Sequence, residues 1–169
     1  MRAMKEQKIE KKQNSHGQPK EPAKKSVTVL HVDDDPNDTT LLQVACAKAD
    51  VNFELLNIHD ANAVIEYLSS ADRPHCELPA LVLLDMKMPR AAGMEVLKWI
   101  RNQSALKHLP VFVLSGSEMH EDIRQAYEGG ANGYLVKPPN FDSLVKMVRD
   151  IRAHLPAPPP SHRAAHSCA

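Results

Sequence analysis

Four short apolar segments of this chain each end in a polar or charged side chain, and this arrangement constrains the fold more than any other feature. The segments are 27–32, 80–84, 111–114 and 134–136, and they are followed by Asp33, Asp85, Ser115 and Lys137, respectively. Short, almost wholly apolar strands are typical of parallel sheets that helices cover on both faces. The carboxyl ends of parallel strands all lie at the same edge of the sheet, and such sheets bind ligands at that edge. The sequence therefore predicts that these four polar side chains gather at a ligand-binding site.

Segments with helical periodicity alternate with the strands. A further strand is expected over 51–59, and apolar residues recur at helical spacing after Pro36, over 61–69, after Gly93, over about 121–128 and from Leu144 to Leu155. Five strand–helix units predict an α/β fold: a doubly wound, flavodoxin-like (βα)5 parallel sheet with strand order 2-1-3-4-5 and right-handed crossovers.

The two ends of the chain differ in composition from its centre. Residues 1–25 contain eight lysine or arginine residues against three glutamates, and we expect a disordered basic arm there, which could contact nucleic acid, a membrane or an acidic partner. It lacks the interleaved aromatic residues of a single-strand binder and the apolar stripe of a membrane helix. A proline-rich tail is expected over 156–169, which leaves 26–155 as the folded domain.

Composition excludes several classes of protein. No apolar stretch approaches the roughly 18 residues of a membrane span, and the polar N-terminus shows no signal peptide. The three cysteines, at positions 46, 76 and 168, have no metal-binding spacing. Free thiols in a reducing cytosol are the simplest interpretation, so we expect a cytoplasmic protein without a membrane partner.

The polar groups at the predicted sheet edge suit a divalent cation and a phosphoryl group. Asp33, Asp34 and Asp85 would repel one another unless a cation lay among them. An open site made of oxygen ligands favours Mg²⁺ or Mn²⁺. The ammonium of Lys137 and the hydroxyl of Ser115 could contact further phosphoryl oxygens, and an aspartate can itself become an acyl phosphate.

Each of these residues also has an ordinary interpretation. An acidic triplet is a common start to a helix, a serine or aspartate after a strand commonly belongs to a turn, and a lysine before proline is commonly a surface residue. Chance would have to place all of these residue types at four separate strand ends, so the combination favours a site.

The motifs Val32-Asp33-Asp34-Asp35-Pro36, Leu83–Pro89 with Gly93, Val113–Gly116 and Gly133–Pro138 stand in the order and spacing of a known family. On these residues the chain resembles the receiver domain of two-component response regulators, the CheY-like superfamily, over about 26–155. The 69–79 loop and Leu78-Pro79 resemble single-domain regulators that are paired with phytochrome-type kinases.

The resemblance implies a role for each site residue. Asp85 would be the phospho-acceptor, with Lys137 and Ser115 contacting the phosphoryl group. The metal would be bound directly by Asp34 and Asp85, with help from Asp33, partly through water, and from the main-chain carbonyl of Lys87. It also implies a cis peptide bond before Pro138, and a switch in which Tyr134 turns inward when Ser115 moves.

The implied function is that of a stand-alone response regulator in a phosphorelay. A partner sensor histidine kinase would phosphorylate Asp85, and the resemblance of the 69–79 loop implies a kinase of the phytochrome type. A downstream protein, a phosphotransfer partner or a second copy of the chain would bind the face made by helix 4, strand 5 and helix 5. No DNA-binding domain and no enzymatic activity are expected, apart from self-phosphorylation and slow autodephosphorylation.

Two other interpretations compete with this one. A haloacid-dehalogenase-type phosphatase also combines a nucleophilic aspartate, Mg²⁺, a hydroxyl and a lysine, but its remaining acidic residues follow the lysine, whereas Asp85 precedes Lys137. A pseudo-receiver that only binds partners would typically lack the acceptor or the lysine, and both are present here.

Overall fold

The predicted alternation of strands and helices is present in the structure. The computed structural model describes residues 27–70, 78–89 and 92–157. The predicted basic arm, most of the 69–79 loop and the tail from residue 158 lie outside the described residues. The strands are β1 (Val27–Val32), β2 (Phe53–Ile58), β3 (Leu81–Leu84), β4 (Val111–Ser115) and β5 (Gly133–Val136). The helices are α1 (Pro36–Ala49), α2 (Ala61–Ser69), α3 (Ala92–Asn102), α4 (His120–Glu128) and α5 (Phe141–His154).

The strands form one sheet in the order β2-β1-β3-β4-β5. All neighbouring strands are parallel, which confirms the predicted flavodoxin-like fold. The carboxyl ends of β1, β3, β4 and β5 therefore lie side by side. Asp33, Asp85 and Ser115 stand at this edge, and Lys137 follows β5.

Hydrophobic side chains fill both faces of the sheet. All four residues of β3 are buried, and because successive side chains of a strand point to opposite faces, they contribute to two separate layers. Leu81 and Leu83 pack with residues of α1 and α5. Val82 and Leu84 pack with residues of α2 and α3.

Side-chain caps fix where three of the helices begin. Asp35 accepts a hydrogen bond from the backbone N–H of Asn37 before α1, and Asp60 and Asn140 cap α2 and α5 in the same manner. These contacts satisfy N–H groups that a helix leaves free at its start. The residue before α4, Met119, provides no such side-chain bond.

Among the described residues, no helix is both long and apolar enough to cross a bilayer.

Candidate functional site

Three carboxylates come together at the carboxyl edge of the sheet. One oxygen of each of Asp33, Asp34 and Asp85 lies within 4.8 Å of the others. Asp33 and Asp85 are buried, with 0% and 5% of their surface exposed, whereas Asp34 is open to solvent. The structure thus brings together the three acids that the sequence predicted as metal ligands.

Lys137 supplies the positive charge of this cluster. Its Nζ donates to Oδ2 of Asp33 at 2.8 Å and to Oδ2 of Asp38 at 2.6 Å. The contact with Oδ2 of Asp85 is longer, at 3.3 Å. One ammonium therefore partly neutralises three carboxylates, two of which are buried.

Two opposing effects act on the pKa of Lys137. Burial lowers it, because a desolvated ammonium is disfavoured. The hydrogen bonds to Asp33 and Asp38, together with the charge of Asp85, outweigh burial, so the pKa is raised above its usual value. Lys137 is therefore charged across the physiological pH range.

The backbone holds the Asp85 side chain in one orientation. Its N–H donates to the carbonyl of Val32 at 2.9 Å, and its Oδ1 accepts the N–H of Lys87 at 2.9 Å. At Gly93, in the first turn of α3, an added Cβ would collide with the carbonyl oxygen of Asp85 and lie 2.9 Å from Cα of Met86. The absence of a side chain at Gly93 thus lets α3 pack directly against the loop that carries Asp85.

The donor set fits a hard divalent cation. Carboxylate oxygens with one open side suit Mg²⁺ or Mn²⁺, which keep several waters and bind few protein ligands. Asp33 uses Oδ1 to accept the N–H of Asp35 at 2.9 Å and directs Oδ2 into the cluster. Participation of the main-chain carbonyl of Lys87 stays a prediction.

Ser115, at the end of β4, and Tyr134, in β5, are two further residues that the sequence predicted for this site. Ser115 is 1% exposed, and it lines a cavity of about 260 Å³ together with Met86 and Lys87, the two residues after Asp85. Tyr134 is half-buried and donates its hydroxyl proton to the carbonyl of Ser117 at 2.9 Å. Tyr134 therefore contacts the segment between β4 and α4, while its role as a switch stays a prediction.

One expectation about the backbone is wrong. Among the described residues there is no cis peptide bond, so the bond before Pro138 is trans. Trans is the more populated isomer even before proline, and only the family resemblance pointed to cis. The N–H of Lys137 donates to the carbonyl of Ser115 at 2.8 Å, which ties the end of β5 to β4.

Sequence reasoning missed two polar residues at this edge. Asp38 is an acid in the first turn of α1, and its carboxylate makes the shortest contact with Lys137. His31, in β1, is 1% exposed. Its Nε2 lies 3.7 Å from Oδ2 of Asp33. The available signal for His31 was a polar residue inside an apolar strand. Asp38 carried no such signal, because acids are common in the first turn of a helix.

His31 is held by the edge strand of the sheet. Its Nδ1 donates to Oδ1 of Asn57, in β2, at 3.0 Å, and Nε2 has no hydrogen-bond partner within the described ranges. Burial lowers the pKa of His31, and this outweighs the hydrogen bond of Asn57 and the charge of Asp33, which both raise it. The imidazole is therefore less readily protonated than an exposed histidine.

Comparisons with known proteins agree with this geometry. Residues 29–149 match the family described as "Response regulator receiver domain". Response regulator Rcp1 from Synechocystis sp. is 33% identical over 126 residues, which cover 74% of this chain and 86% of that protein.

Solved structures are similar as well. The Mn(2+)-bound form of Rcp1 has 33% identity and a TM-score of 0.65, with 78% of this chain and 99% of that chain covered. The phosphorylated cyanobacterial phytochrome response regulator RcpA has 32% identity, a TM-score of 0.67 and the same coverage. A response regulator in red light signaling of R. palustris has 35% identity, a TM-score of 0.70 and the same coverage.

Proposed function

This chain belongs to the response regulator receiver domain family, and from that premise we propose that it accepts a phosphoryl group on Asp85 from a partner histidine kinase. The observation that carries the proposal is the placement of buried Asp85 between two other acids and Lys137. The phosphoryl charge would switch a protein-binding face, and the signal would pass on by protein contact or further phosphotransfer.

In the proposed transfer, an Asp85 carboxylate oxygen attacks the phosphorus of a phosphohistidine. The new O–P bond forms as the N–P bond breaks, and the leaving imidazole nitrogen keeps the electron pair. A Mg²⁺ or Mn²⁺ ion held by Asp33, Asp34 and Asp85 would supply charge neutralisation for the phosphoryl oxygens. Lys137 contacts a further oxygen, and Ser115 donates its hydroxyl proton to another.

Loss of the phosphoryl group completes the cycle. A water oxygen bonds to phosphorus, the O–P bond to Asp85 breaks, and phosphate and the free carboxylate result. The chain is then a signalling protein with slow self-catalysed dephosphorylation and no activity on other substrates. A haloacid-dehalogenase-type phosphatase would instead turn over simple phosphate esters.

The proposed output face comprises α4, β5 and α5. Met119, Tyr127 and Val136 are large apolar residues on or beside this face, with 66%, 51% and 36% of their surface exposed. Helix α4 carries three carboxylates against one arginine, whereas α5 has an excess of basic residues. These opposite charges support binding of a partner or of a second copy of the chain.

The relatives support a kinase of the phytochrome type as the partner. RcpA is described as a phytochrome response regulator, and the R. palustris protein as part of red light signaling. We also propose that the receiver unit spans 26–155, with the basic arm before it and the proline-rich tail after it.

Intact-mass spectrometry tests the proposed chemistry. Incubation with Mg²⁺ and acetyl phosphate should add one phosphoryl group to the protein, and Asp85→Asn should remove this labelling. Asp35→Asn is a matched control, because Asp35 is an exposed acid of the same cluster of loops and asparagine is also a good helix cap. Undiminished labelling of Asp85→Asn would exclude Asp85 as the acceptor.

A further inference from the structure

Lys137 is proposed to contact a phosphoryl group on Asp85, but Asp85 is not its nearest acidic partner. Its Nζ lies 3.3 Å from Asp85 but 2.6 Å from Asp38. The third partner, Asp33, lies at 2.8 Å. In this unphosphorylated structure, the lysine is thus shared among three acids, with Asp85 the most distant.

The position of Asp38 in the fold favours its contact with Lys137. Asp38 lies in the first turn of α1, where the helix dipole stabilises a negative charge. Helix α1 packs with α5 on one face of the sheet, and this brings Asp38 to the end of β5, 99 positions away in the sequence. The side chain of Asp38 is 40% exposed, and that of Lys137 is 24% exposed.

We propose that Asp38 is a positioning residue that draws Lys137 away from Asp85 and so opposes the phosphorylated form. The inference rests on the proposed function, because it concerns the lysine contact of a phosphoryl group on Asp85. Asp38 does not touch the reacting atoms in this account. It acts through Lys137 alone.

Asp38 differs from Asp33 in its relation to the proposed cation site. Asp33 belongs to the group of acids that can share a metal ion, and Asp38 does not. Binding of a cation would therefore neutralise Asp33 and weaken its attraction for Lys137, while leaving the attraction of Asp38 unchanged. Asp38 is then the main competitor of the phosphoryl group for the ammonium.

This competition predicts a gain of function when the acid is neutralised. Asp38→Asn keeps the size of the side chain but removes its charge, so Lys137 becomes free to contact a group bound at Asp85. The affinity for beryllium fluoride, a phosphoryl mimic, should rise about twofold to fivefold at saturating Mg²⁺, the range expected for a partly exposed ion pair. Asp38→Glu should restore weaker binding, and Asp35→Asn should bind like the parent.

A second readout does not require metal or mimic. The NMR signal of the Lys137 side-chain nitrogen in metal-free protein should shift in Asp38→Asn and not in Asp35→Asn. A merely structural role for Asp38 would lower the unfolding midpoint without moving this signal and without tightening the binding of beryllium fluoride.

A double-mutant cycle isolates the route through Lys137. In a Lys137→Met background, Asp38→Asn should leave the affinity for beryllium fluoride unchanged, because the shared ammonium is gone. Two results would overturn the inference. One is that Asp38→Asn changes the affinity for beryllium fluoride equally in the parent and Lys137→Met proteins. The other is that Asp38→Asn leaves this affinity unchanged, or weakens it, in the parent protein. A parent protein that is neither labelled by acetyl phosphate nor binds beryllium fluoride would instead refute the proposed function, and the inference would fall with it.

Discussion

The two sides of Asp85 are built differently. On one side, which we call the acid side, Asp33, Asp38 and Asp85 share Lys137, and α1 and α5 bury apolar residues beside them. On the other, which we call the serine side, Ser115 lines a cavity together with residues of α4, and Tyr134 packs against the hydrophobic cluster that contains Ala126 of α4.

Helix α4 buries a single residue, Ala126, and begins without a side-chain cap. By contrast, α5 buries five residues and begins at a capping asparagine. Elements with few buried contacts open at a lower free-energy cost than the rest of a domain. Helix α4 should therefore open at a lower free-energy cost than α5, and for the proposed switch we expect the larger backbone movement on the serine side.

The largest expected effect concerns the backbone that fixes Asp85 between the two sides. Gly93→Ala would place a Cβ against the carbonyl of Asp85, and we expect it to lower the free energy of unfolding by about 3 kcal/mol. Urea denaturation measures this. Gly116→Ala is the matched control on the serine side, because a Cβ there meets nothing within 4 Å, and a similar loss in both variants would contradict the comparison.

The second effect concerns the charge network of the acid side. Lys137→Met leaves Asp33 and Asp85 buried without a counter-charge, so metal-free protein should lose about 2 kcal/mol of unfolding free energy. Added Mg²⁺ should restore more stability to this variant than to the parent. Lys146→Met removes an exposed lysine of α5 and should change neither the unfolding free energy of the metal-free protein nor the stability gained with Mg²⁺. If metal-free Lys137→Met were as stable as the parent, the charge network would not stabilise the acid side.

A smaller effect concerns His31, which should make folding stability depend on pH. Its folded pKa is lowered by burial, so as the pH falls below about 6.5 the unfolded chain binds a proton that the folded protein resists. Folding stability should therefore decline with acidification, and the decline should be shallower in His31→Gln. Urea midpoints for both metal-free proteins between pH 7.5 and pH 5 give the comparison, and parallel curves would contradict it.

The smallest effect concerns the start of α4. Met119 is 66% exposed, so Met119→Ser loses little packing and gains a capping hydroxyl, which should stabilise the protein by about 0.5–1 kcal/mol. Hydrogen exchange of the α4 amides should become slower. Met119→Ala serves as the uncapped control, and faster exchange in Met119→Ser than in this control would show that the start of α4 is not the weak point.

Much of the fold was predictable because it depends on local patterns. Apolar strands and helical periodicity predicted all five strands and all five helices to within a few residues, and the parallel arrangement then placed Asp33, Asp85, Ser115 and Lys137 at one edge. Periodicity alone was less informative about burial. Leu41 and Leu42 both fit the helical pattern of α1, but Leu41 is 46% exposed and Leu42 is 2% exposed.

The contacts that the sequence could not predict depend on packing between distant elements. The Asp38–Lys137 contact requires α1 and α5 to lie side by side, and nothing local to Asp38 distinguishes it from an ordinary acid in a first helical turn. His31 reaches the site because its strand pairs with β2, where Asn57 orients the ring. The trans bond before Pro138 shows that a family resemblance does not fix every backbone detail.

Localisation of the phosphoryl group tests the central claim most directly. Borohydride reduces a phosphorylated aspartate to homoserine, so peptide mass spectrometry of reduced, acetyl phosphate-treated protein reports the modified position. We expect the reduced residue at position 85 alone. Reduction at Asp33, Asp34 or Asp35, with position 85 unmodified, would contradict the account.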